Sequence, residues 1–408
     1  MKHFASGLMV TLLLSMPAFG AGTDDLSKAR AQVEFVYQRL TGIRPAAADL
    51  ATWSAALAPL AGADRTAYLA DVVGKAATEN DLFYSVTVLN FAQIEASEDR
   101  SVAEGSGATF TGVLNDLTAT VIGMVRDEKD YRAILSDDVL YIPTGTTYVP
   151  GTNAIYDTLY NTHKTTGGPI ASALTAVTQT GATGLAVQAG IFTLRGFGSV
   201  YYDAGTNRAP FRFTSMNYLC RDMEDLSDVS RADIYVRRDV DRAPGGDASK
   251  YRTECVGCHA GMDPLANSFS FFNFVPPAQA NAAAAITIAA APVAKTNQNN
   301  DVFPGGAVVT NDAWMNLWLE GTNSALGWDA TKKSGTGVKS LGDMLASSKM
   351  FPECMAKRVY KTVCGLKEET STAEKAVISR LAGEFTKTYN MKELFKDTAA
   401  ECVSKIGM

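Results

Sequence analysis

Two cysteines and a histidine stand close enough together in the sequence to act on one ligand. The chain reads Cys255-Val256-Gly257-Cys258-His259, which is the C-x-x-C-H pattern. On a helix, residues three and four apart are neighbours, so the two thiols and the imidazole would face the same side. Two thiols placed in this way can form thioether bonds to the two vinyl groups of a haem, and the imidazole can then ligate the iron. The pattern therefore predicts one covalently bound haem c with His259 as an axial ligand.

Two other kinds of site also use closely spaced cysteines. A Cys/His zinc site needs four ligands, and the chain has no second C-x-x-C. A thioredoxin-like redox pair expects a βαβ context, which the flanking sequence does not resemble. Haem attachment is therefore the favoured interpretation. In that case Nδ1–H of His259 is expected to donate to a backbone carbonyl, and Asp263-Pro264 is expected to end the helix or redirect the chain.

The first 20 residues have the composition of an export signal. Lys2 precedes a short apolar run at 8–16, and Ala18-Phe19-Gly20 supplies small residues where a signal peptidase cuts. The run is about half of the ~20 apolar residues that span a bilayer, and we expect no integral membrane span elsewhere. We therefore expect cleavage before Ala21 and a periplasmic or secreted mature chain. Haem c is attached outside the bacterial cytoplasm, so the export signal and the motif agree.

The charge balance limits the kinds of partner. The chain has 37 basic and 43 acidic side chains, a formal net charge of −6. Nucleic acids and anionic lipid surfaces repel an acidic chain. We therefore expect no nucleic-acid partner, and a redox partner protein instead.

The remaining four cysteines have a different expected role. In an oxidising compartment an even number of cysteines predicts disulfides, and four cysteines allow three pairings. The C-terminal sequence predicts three helices, at about 352–365, 371–388 and 391–404. In an up-down-up bundle the first and third run in the same direction, so Cys364 and Cys402 fall at the same end. This favours a Cys364–Cys402 bond. Cys220 is then left to pair with Cys354, with buried free thiols as the alternative.

Helical periodicity dominates the rest of the chain, so we expect a mainly α fold. Further helical patterns lie at about 25–41, 47–59, 64–77, 79–97, 110–128 and 170–200. Loops are expected at 138–170, where glycine and proline are frequent, and at 276–300. We predict an N-terminal helical domain at 21–204, followed by a cytochrome-c-like helical haem domain with long loops at 205–408.

The ligand on the far side of the iron decides what a haem protein does. Met350 precedes Phe351-Pro352 in a segment that resembles a ligand loop, and it is the first candidate. The second is His163, the one other histidine of the mature chain, expected in a loop. The third is an open or water-bound position. Met315 and Met344 also follow the motif, but they are expected in helices as core residues.

Each occupant of that position predicts a different function. A methionine or histidine predicts one-electron transfer, which makes the chain more an electron carrier than a catalyst. An open position predicts a haem enzyme with peroxidase- or oxygenase-like chemistry. A third hypothesis treats the haem as a structural staple in a partner-binding protein.

Three arginines flank the motif in the sequence, namely Arg208, Arg212 and Arg252. A guanidinium can pair with a haem propionate. It can also be solvated or have a structural role in the protein, and these roles are the more ordinary ones.

The segment 255–265 is similar to the C-x-x-C-H-x-x-[IM]-D-P core of a group of exported bacterial domains of unknown function with a cytochrome-c-like signature. Other segments that resemble this group are 37–42, AGIFT at 189–193, GTNR at 205–208, Leu219-Cys220 and FPEC at 351–354. At Cys364-Gly365-Leu366 the chain departs from the Gly-Arg pair that usually ends the group's next helix. The resemblance implies haem c and export, and brings no settled activity. Together with the motif, it predicts a periplasmic or secreted single-haem c-type cytochrome.

Overall fold

The computed structural model of this chain describes residues 23–97, 112–275, 285–299, 301–365 and 371–403. The predicted export signal at 1–20 and its cleavage site before Ala21 lie outside these residues. So do Leu366 and part of the predicted loop at 276–300. The described chain is mainly helical, as the sequence predicted.

The N-terminal part consists of helices with one apolar face each. Their bounds are α1 (Thr23–Thr41), α2 (Ala47–Leu57), α3 (Gly62–Tyr68), α4 (Lys75–Thr78), α5 (Leu89–Ser97) and α6 (Asp116–Arg126). Wider helical turns at Leu69–Gly74 and Phe83–Val88 connect α3 to α4 and lead into α5. The buried face of α1 repeats with helical spacing, at Ala29, Val33, Val36 and Leu40. The side chain of Asn115 accepts hydrogen bonds from the first turn of α6 and fixes its start.

The middle of the chain is less regular than predicted. Its helices are α7 (Ala154–Thr166), α8 (Gln179–Ala182), α9 (Arg195–Tyr201), α10 (Ala209–Tyr218) and α11 (Ala248–Lys250). The strands β1 (Leu140–Pro143) and β2 (Leu174–Val177) pair antiparallel. The loop expected at 138–170 is wrong over α7, where the buried ring of Tyr156 anchors a threonine-rich helix of low intrinsic propensity. The helix expected at 170–200 is wrong over β2, whose branched residues Thr175 and Val177 suit a strand.

The C-terminal part contains the motif helix, four short strands and the predicted helical tail. Its elements are α12 (Val256–Ala266), β3 (Phe272–Val275), β4 (Ala285–Ile288), β5 (Ala313–Met315), β6 (Ser334–Thr336), α13 (Gly337–Ala346), α14 (Met350–Cys364), α15 (Thr372–Phe385) and α16 (Met391–Val403). The strands form two antiparallel pairs, β3 with β4 and β5 with β6. Met344 is helical, as expected. Met315 is in β5 instead, because its segment pairs with β6.

Both predicted disulfides are present. Cys364 is bonded to Cys402 and Cys220 to Cys354, with Cα–Cα distances of 5.4 and 5.2 Å. Cys364 is the last residue of α14, and Cys402 lies at the end of α16. This is the parallel arrangement of the first and third helices that the sequence predicted.

One apolar core spans the two predicted domains. It includes residues from Ala29 to Val403. Helix α1 packs against α16, and α5 packs against α14. The division into domains at 21–204 and 205–408 stays a prediction. Within the described residues, no helix combines the length and the apolar character needed to cross a bilayer.

Candidate functional site

The C-x-x-C-H motif occupies the open side of α12. Cys255 directly precedes the helix, at the end of the wide helical turn Tyr251–Cys255. From Val256 to Ala266 every residue is buried except Cys258 and His259. Cys255, Cys258 and His259 lie three and four residues apart, so they share one helix face. The structure thus brings the three predicted residues together on the accessible stripe of an otherwise buried helix.

Both cysteines of the motif are free thiols, whereas the other four described cysteines form disulfides. The Cys258 thiol donates to the carbonyl oxygen of Met223 at 3.3 Å. Burial raises the pKa of Cys258, and the nearby charge of Glu224 adds to the rise, while a hydrogen bond with Ser227 opposes it. The thiol therefore stays protonated at neutral pH. In the described part of the chain, no three His, Cys, Asp or Glu side chains are grouped so that they could hold a metal ion.

Two glycines let the back of α12 approach the rest of the protein closely. The carbonyl of Gly257 accepts a hydrogen bond of 3.0 Å from the backbone N–H of Asp228. A Cβ atom at Gly261 would overlap the indole of Trp318, which is fully buried. Trp318 in turn stacks on Trp328, with ring centroids 6.1 Å apart. This packing fixes the helix so that its motif face stays outward.

The imidazole of His259 is held by the carboxylate of Asp263. Nδ1 of His259 lies 3.1 Å from Oδ1 of Asp263. The expectation of a backbone carbonyl partner was wrong, because Asp263 is four residues further along the same helix face and reaches the ring. An ionised carboxylate only accepts hydrogen bonds, so Nδ1 is the protonated nitrogen. Nε2, on a side chain that is 24% exposed, therefore keeps its lone pair for a ligand.

The motif helix does not end at Asp263-Pro264, as the sequence led us to expect. It continues to Ala266 with Pro264 inside it. Proline has no N–H, so the carbonyl of Ala260 lacks its usual helical donor. The complete burial of Leu265 and Ala266 offsets that loss.

Asp263 is fully buried, and both of its oxygens are occupied. Besides the bond from His259, Oδ1 accepts from Nε of Arg208 at 2.6 Å. Oδ2 accepts from Nη2 of Arg208 at 2.9 Å and from the backbone N–H of Arg237 at 2.9 Å. Burial would raise the pKa of Asp263, but the charge of Arg208 and the bonds from His259 and Arg208 hold it well below its usual range. Asp263 is therefore a fixed anion beside the imidazole of His259.

Arg208 connects Asp263 to a second carboxylate. Its Nη1 and Nη2 donate to the two oxygens of Asp239 at 2.6 and 2.8 Å. Burial would lower the pKa of Arg208, but Asp263 and Asp239 raise it above its ordinary value. The fully buried Arg237, whose pKa burial lowers to about 10, donates to the carbonyl oxygen of Thr206 at 2.7 Å. Two arginines and two aspartates thus form a charge-balanced group beneath the motif.

Two of the three arginines named from the sequence form ion pairs with carboxylates of the protein. Arg208 pairs with Asp239 and Asp263. Arg212 pairs with Asp222 at 2.6 Å. Arg252 is exposed. The structural role therefore accounts for the first two.

The two distal-ligand candidates lie in other surroundings. His163 is on α7 rather than in a loop, because this helix runs from Ala154 to Thr166. Its Nδ1–H donates to the carbonyl oxygen of Gly168 at 2.6 Å. Met350 is buried at the start of α14, so the ligand-loop expectation for its segment was wrong. It lines a cleft of about 240 Å³ beside the Cys220–Cys354 disulfide. No hydrogen bond or ring contact that the structure describes joins either residue to the motif. Their role as distal ligands stays a prediction.

The carboxylate partner of His259 was not predicted from the sequence. The signal was present, because a histidine and an aspartate four apart on a predicted helix are neighbours. Arg208, Arg237 and Asp239 lie on distant segments of the chain. No local sequence pattern therefore indicated that they belong to this site.

Comparison with known proteins assigns no family or function to this site. No protein-family model matches the chain, and no curated protein or solved structure matches it. The resemblance noted in the sequence, and the haem that it implies, therefore stay predictions.

Proposed function

We propose that this chain is an exported single-haem c-type cytochrome that transfers one electron at a time. Cys255 and Cys258 are the attachment residues, and His259 is the axial ligand. One observation carries the proposal. The three motif side chains form the open face of a helix that is otherwise buried, with both thiols free and Nδ1 of the imidazole held from behind.

The chemistry of these residues fits a covalently attached haem. Each S–H would add across one vinyl group of the haem, so that a carbon–sulfur bond would form and the hydrogen would go to the neighbouring carbon. This addition needs no oxidant, but it needs reduced thiols, and both cysteines are unpaired. The bond to Asp263 orients the ring of His259 and leaves Nε2 free for the iron. When bound, a haem supplies a one-electron Fe(III)/Fe(II) couple.

The position of the motif suits exchange of electrons with another protein. Cys255, Cys258 and His259 are half-buried rather than enclosed, so a partner can approach this face. The acidic chain is compatible with a neutral or basic redox protein in the periplasm or outside the cell. Such a partner would supply the electron, and a second one would remove it.

The first test is production of the full chain, with an export signal, in a bacterium that matures c-type cytochromes. We expect a red protein that keeps its pigment through acid–organic extraction and gains the mass of one haem. A redox titration is expected to fit one electron. The Cys255→Ala, Cys258→Ala double variant is the matched control and should stay colourless. A colourless wild-type chain would reject the proposal.

Spectra of the same material separate electron transfer from the enzymatic alternative. A six-coordinate, low-spin iron in both oxidation states, with slow binding of carbon monoxide, supports a second protein ligand. A Met350→Ala or His163→Ala variant whose spectrum changes would identify that ligand. Rapid binding of carbon monoxide to the reduced wild-type protein would instead favour an open-site haem enzyme.

A further inference from the structure

Asp263 belongs to the buried group of arginines and aspartates beneath the motif. Its contacts suggest that it does more than stabilise the packing of the helix. We propose that Asp263 is a positioning residue that strengthens the iron bond of His259 and lowers the reduction potential of the bound haem. Arg208 and Asp239 hold its carboxylate in place. This inference rests on the proposed function and concerns how the same site is tuned.

The geometry leaves the carboxylate of Asp263 no freedom to turn away. Its two oxygens accept four hydrogen bonds, from His259, from the backbone N–H of Arg237 and from two nitrogens of Arg208, all between 2.6 and 3.1 Å. Because Asp263 lies four residues after His259, the ring and its acceptor also share one rigid helix. The imidazole is therefore held in one orientation and one tautomer.

The charges around Asp263 support a lasting anion at this place. Asp263 is fully buried, and Asp239 and Arg208 have side chains that are only slightly exposed. Arg208 bridges the two carboxylates with paired hydrogen bonds, which is the strong, geometrically specific form of such a pair. Arg237 contacts Asp263 through its backbone N–H, while its buried guanidinium donates to the carbonyl oxygen of Thr206 and to Asn267. The negative charge of Asp263 therefore faces the ring of His259 at short range.

A carboxylate acts on an axial imidazole differently from a backbone carbonyl. It accepts more strongly from Nδ1–H, which moves electron density to Nε2 and makes the ligand more basic. A more basic ligand favours Fe(III), the more positively charged state of the iron, and so lowers the reduction potential. Hydrogen bonding to the axial ligand is one of the few means by which a protein sets that potential.

The test is the midpoint potential of the intact haem protein, compared among wild type and three variants. Asp263→Asn keeps the shape of the side chain and removes its charge. We expect about a tenfold shift of the equilibrium towards the ferrous state, which is a rise of about 59 mV for one electron. Asp239 contacts Arg208 but not the ring of His259, so for Asp239→Asn we expect a smaller rise of the midpoint potential.

The matched control is Asp116→Asn. Asp116 is another buried aspartate with four donors, including Tyr148 and the backbone N–H groups of Arg195 and Gly196, and it lies on α6. We expect this variant to lose stability and to keep the wild-type potential.

The outcomes separate this inference from the proposed function. Haem-bearing Asp263→Asn protein with an unchanged potential overturns the inference and leaves the cytochrome proposal intact. If Asp263→Asn does not accumulate, Asp239→Asn decides, and an unchanged potential there overturns the inference. Equal shifts in Asp263→Asn and Asp116→Asn also overturn it, since they would reflect a general loss of order. A wild-type chain without covalent haem overturns both.

Discussion

The motif helix and the C-terminal helices use the same residue type in opposite ways. In the C-terminal part, Cys364 and Cys402 close a disulfide between two helix ends and are buried. Cys255, directly before the motif helix, and Cys258, on that helix, are free thiols and only half-buried. Cysteine pairs that stabilise a fold are removed from solvent, whereas thiols that must react with a ligand need access.

The two regions also differ in what holds them together. The helices α14, α15 and α16 pack on each other. One disulfide joins α14 to α16, and the other joins α14 to Cys220, which lies two residues after α10. The motif helix is tied down by a buried group of two arginines and two aspartates. Apolar packing and disulfides hold a fold without specifying chemistry. A buried charge beside a histidine influences the chemistry of that histidine.

The largest expected effect is loss of the pigment. The Cys255→Ser, Cys258→Ser double variant should bear no covalent haem, because no thioether can form. The Cys364→Ser, Cys402→Ser variant should keep covalent haem in whatever fraction folds. The haem content of each purified protein, measured after acid–organic extraction, checks this. Equal haem content in the two variants would contradict the assigned difference between the regions.

The next effect is a loss of stability. It is expected when the disulfide cysteines are replaced rather than the motif cysteines. In the chain-entropy view, removing the Cys220–Cys354 bond, which closes a span of 134 residues, costs about 5 kcal/mol. Removing the Cys364–Cys402 bond, with a span of 38 residues, costs about 4 kcal/mol. Denaturant unfolding of the Cys→Ala variants measures both losses. No loss in either variant would mean that these bonds do not constrain the chain.

A pair of glycine variants compares the packing of the two regions. Gly261→Ala places a methyl group against the indole of Trp318 and should cost about 1–3 kcal/mol. Gly383→Ala, in α15, meets open space and should stabilise by up to about 1 kcal/mol. Thermal unfolding of the two variants checks the contrast. A Gly261→Ala variant as stable as wild type would show that α12 is not pressed against Trp318.

The smallest expected effect is a pH dependence in α16. Burial raises the pKa of Asp397 to about 6, with Lys396 opposing the rise and Glu393 adding to it. The folded state then holds this proton more tightly than the unfolded state, so the stability from this group falls as pH rises from about 4 to about 6. Asp397→Asn should therefore be more stable than wild type at pH 7, and the difference should vanish below about pH 4. A constant difference across unfolding curves at pH 4, 5, 6 and 7 would contradict the raised pKa.

Local patterns in the sequence were sufficient for the C-terminal helices α14 to α16 and for the disulfides. The spacing of apolar residues predicts the tail helices, and the relative direction of these helices determines which cysteines meet. The same reasoning failed at α7 and at β2, where a tertiary partner rather than intrinsic propensity decides the structure. Tyr156 is buried against the rest of the protein, and β2 exists because β1 lies beside it.

The candidate site also has a part that local sequence patterns predict and a part that they do not. The shared face of Cys255, Cys258 and His259 follows from spacing alone. The carboxylate of Asp263 was within reach of the same argument, being one helical turn further on. Arg208 and Asp239 were not, since ion pairs between residues 31 and 55 positions apart leave no periodic trace in the chain.

The central claim is that both sulfurs of the motif are bonded to one haem, and mass spectrometry of digested, unreduced protein tests it most directly. After treatment with an alkylating reagent, we predict that the peptide containing 255–259 carries the mass of one haem and no alkyl group. Alkyl groups on Cys255 and Cys258, or a disulfide between them, would contradict the account.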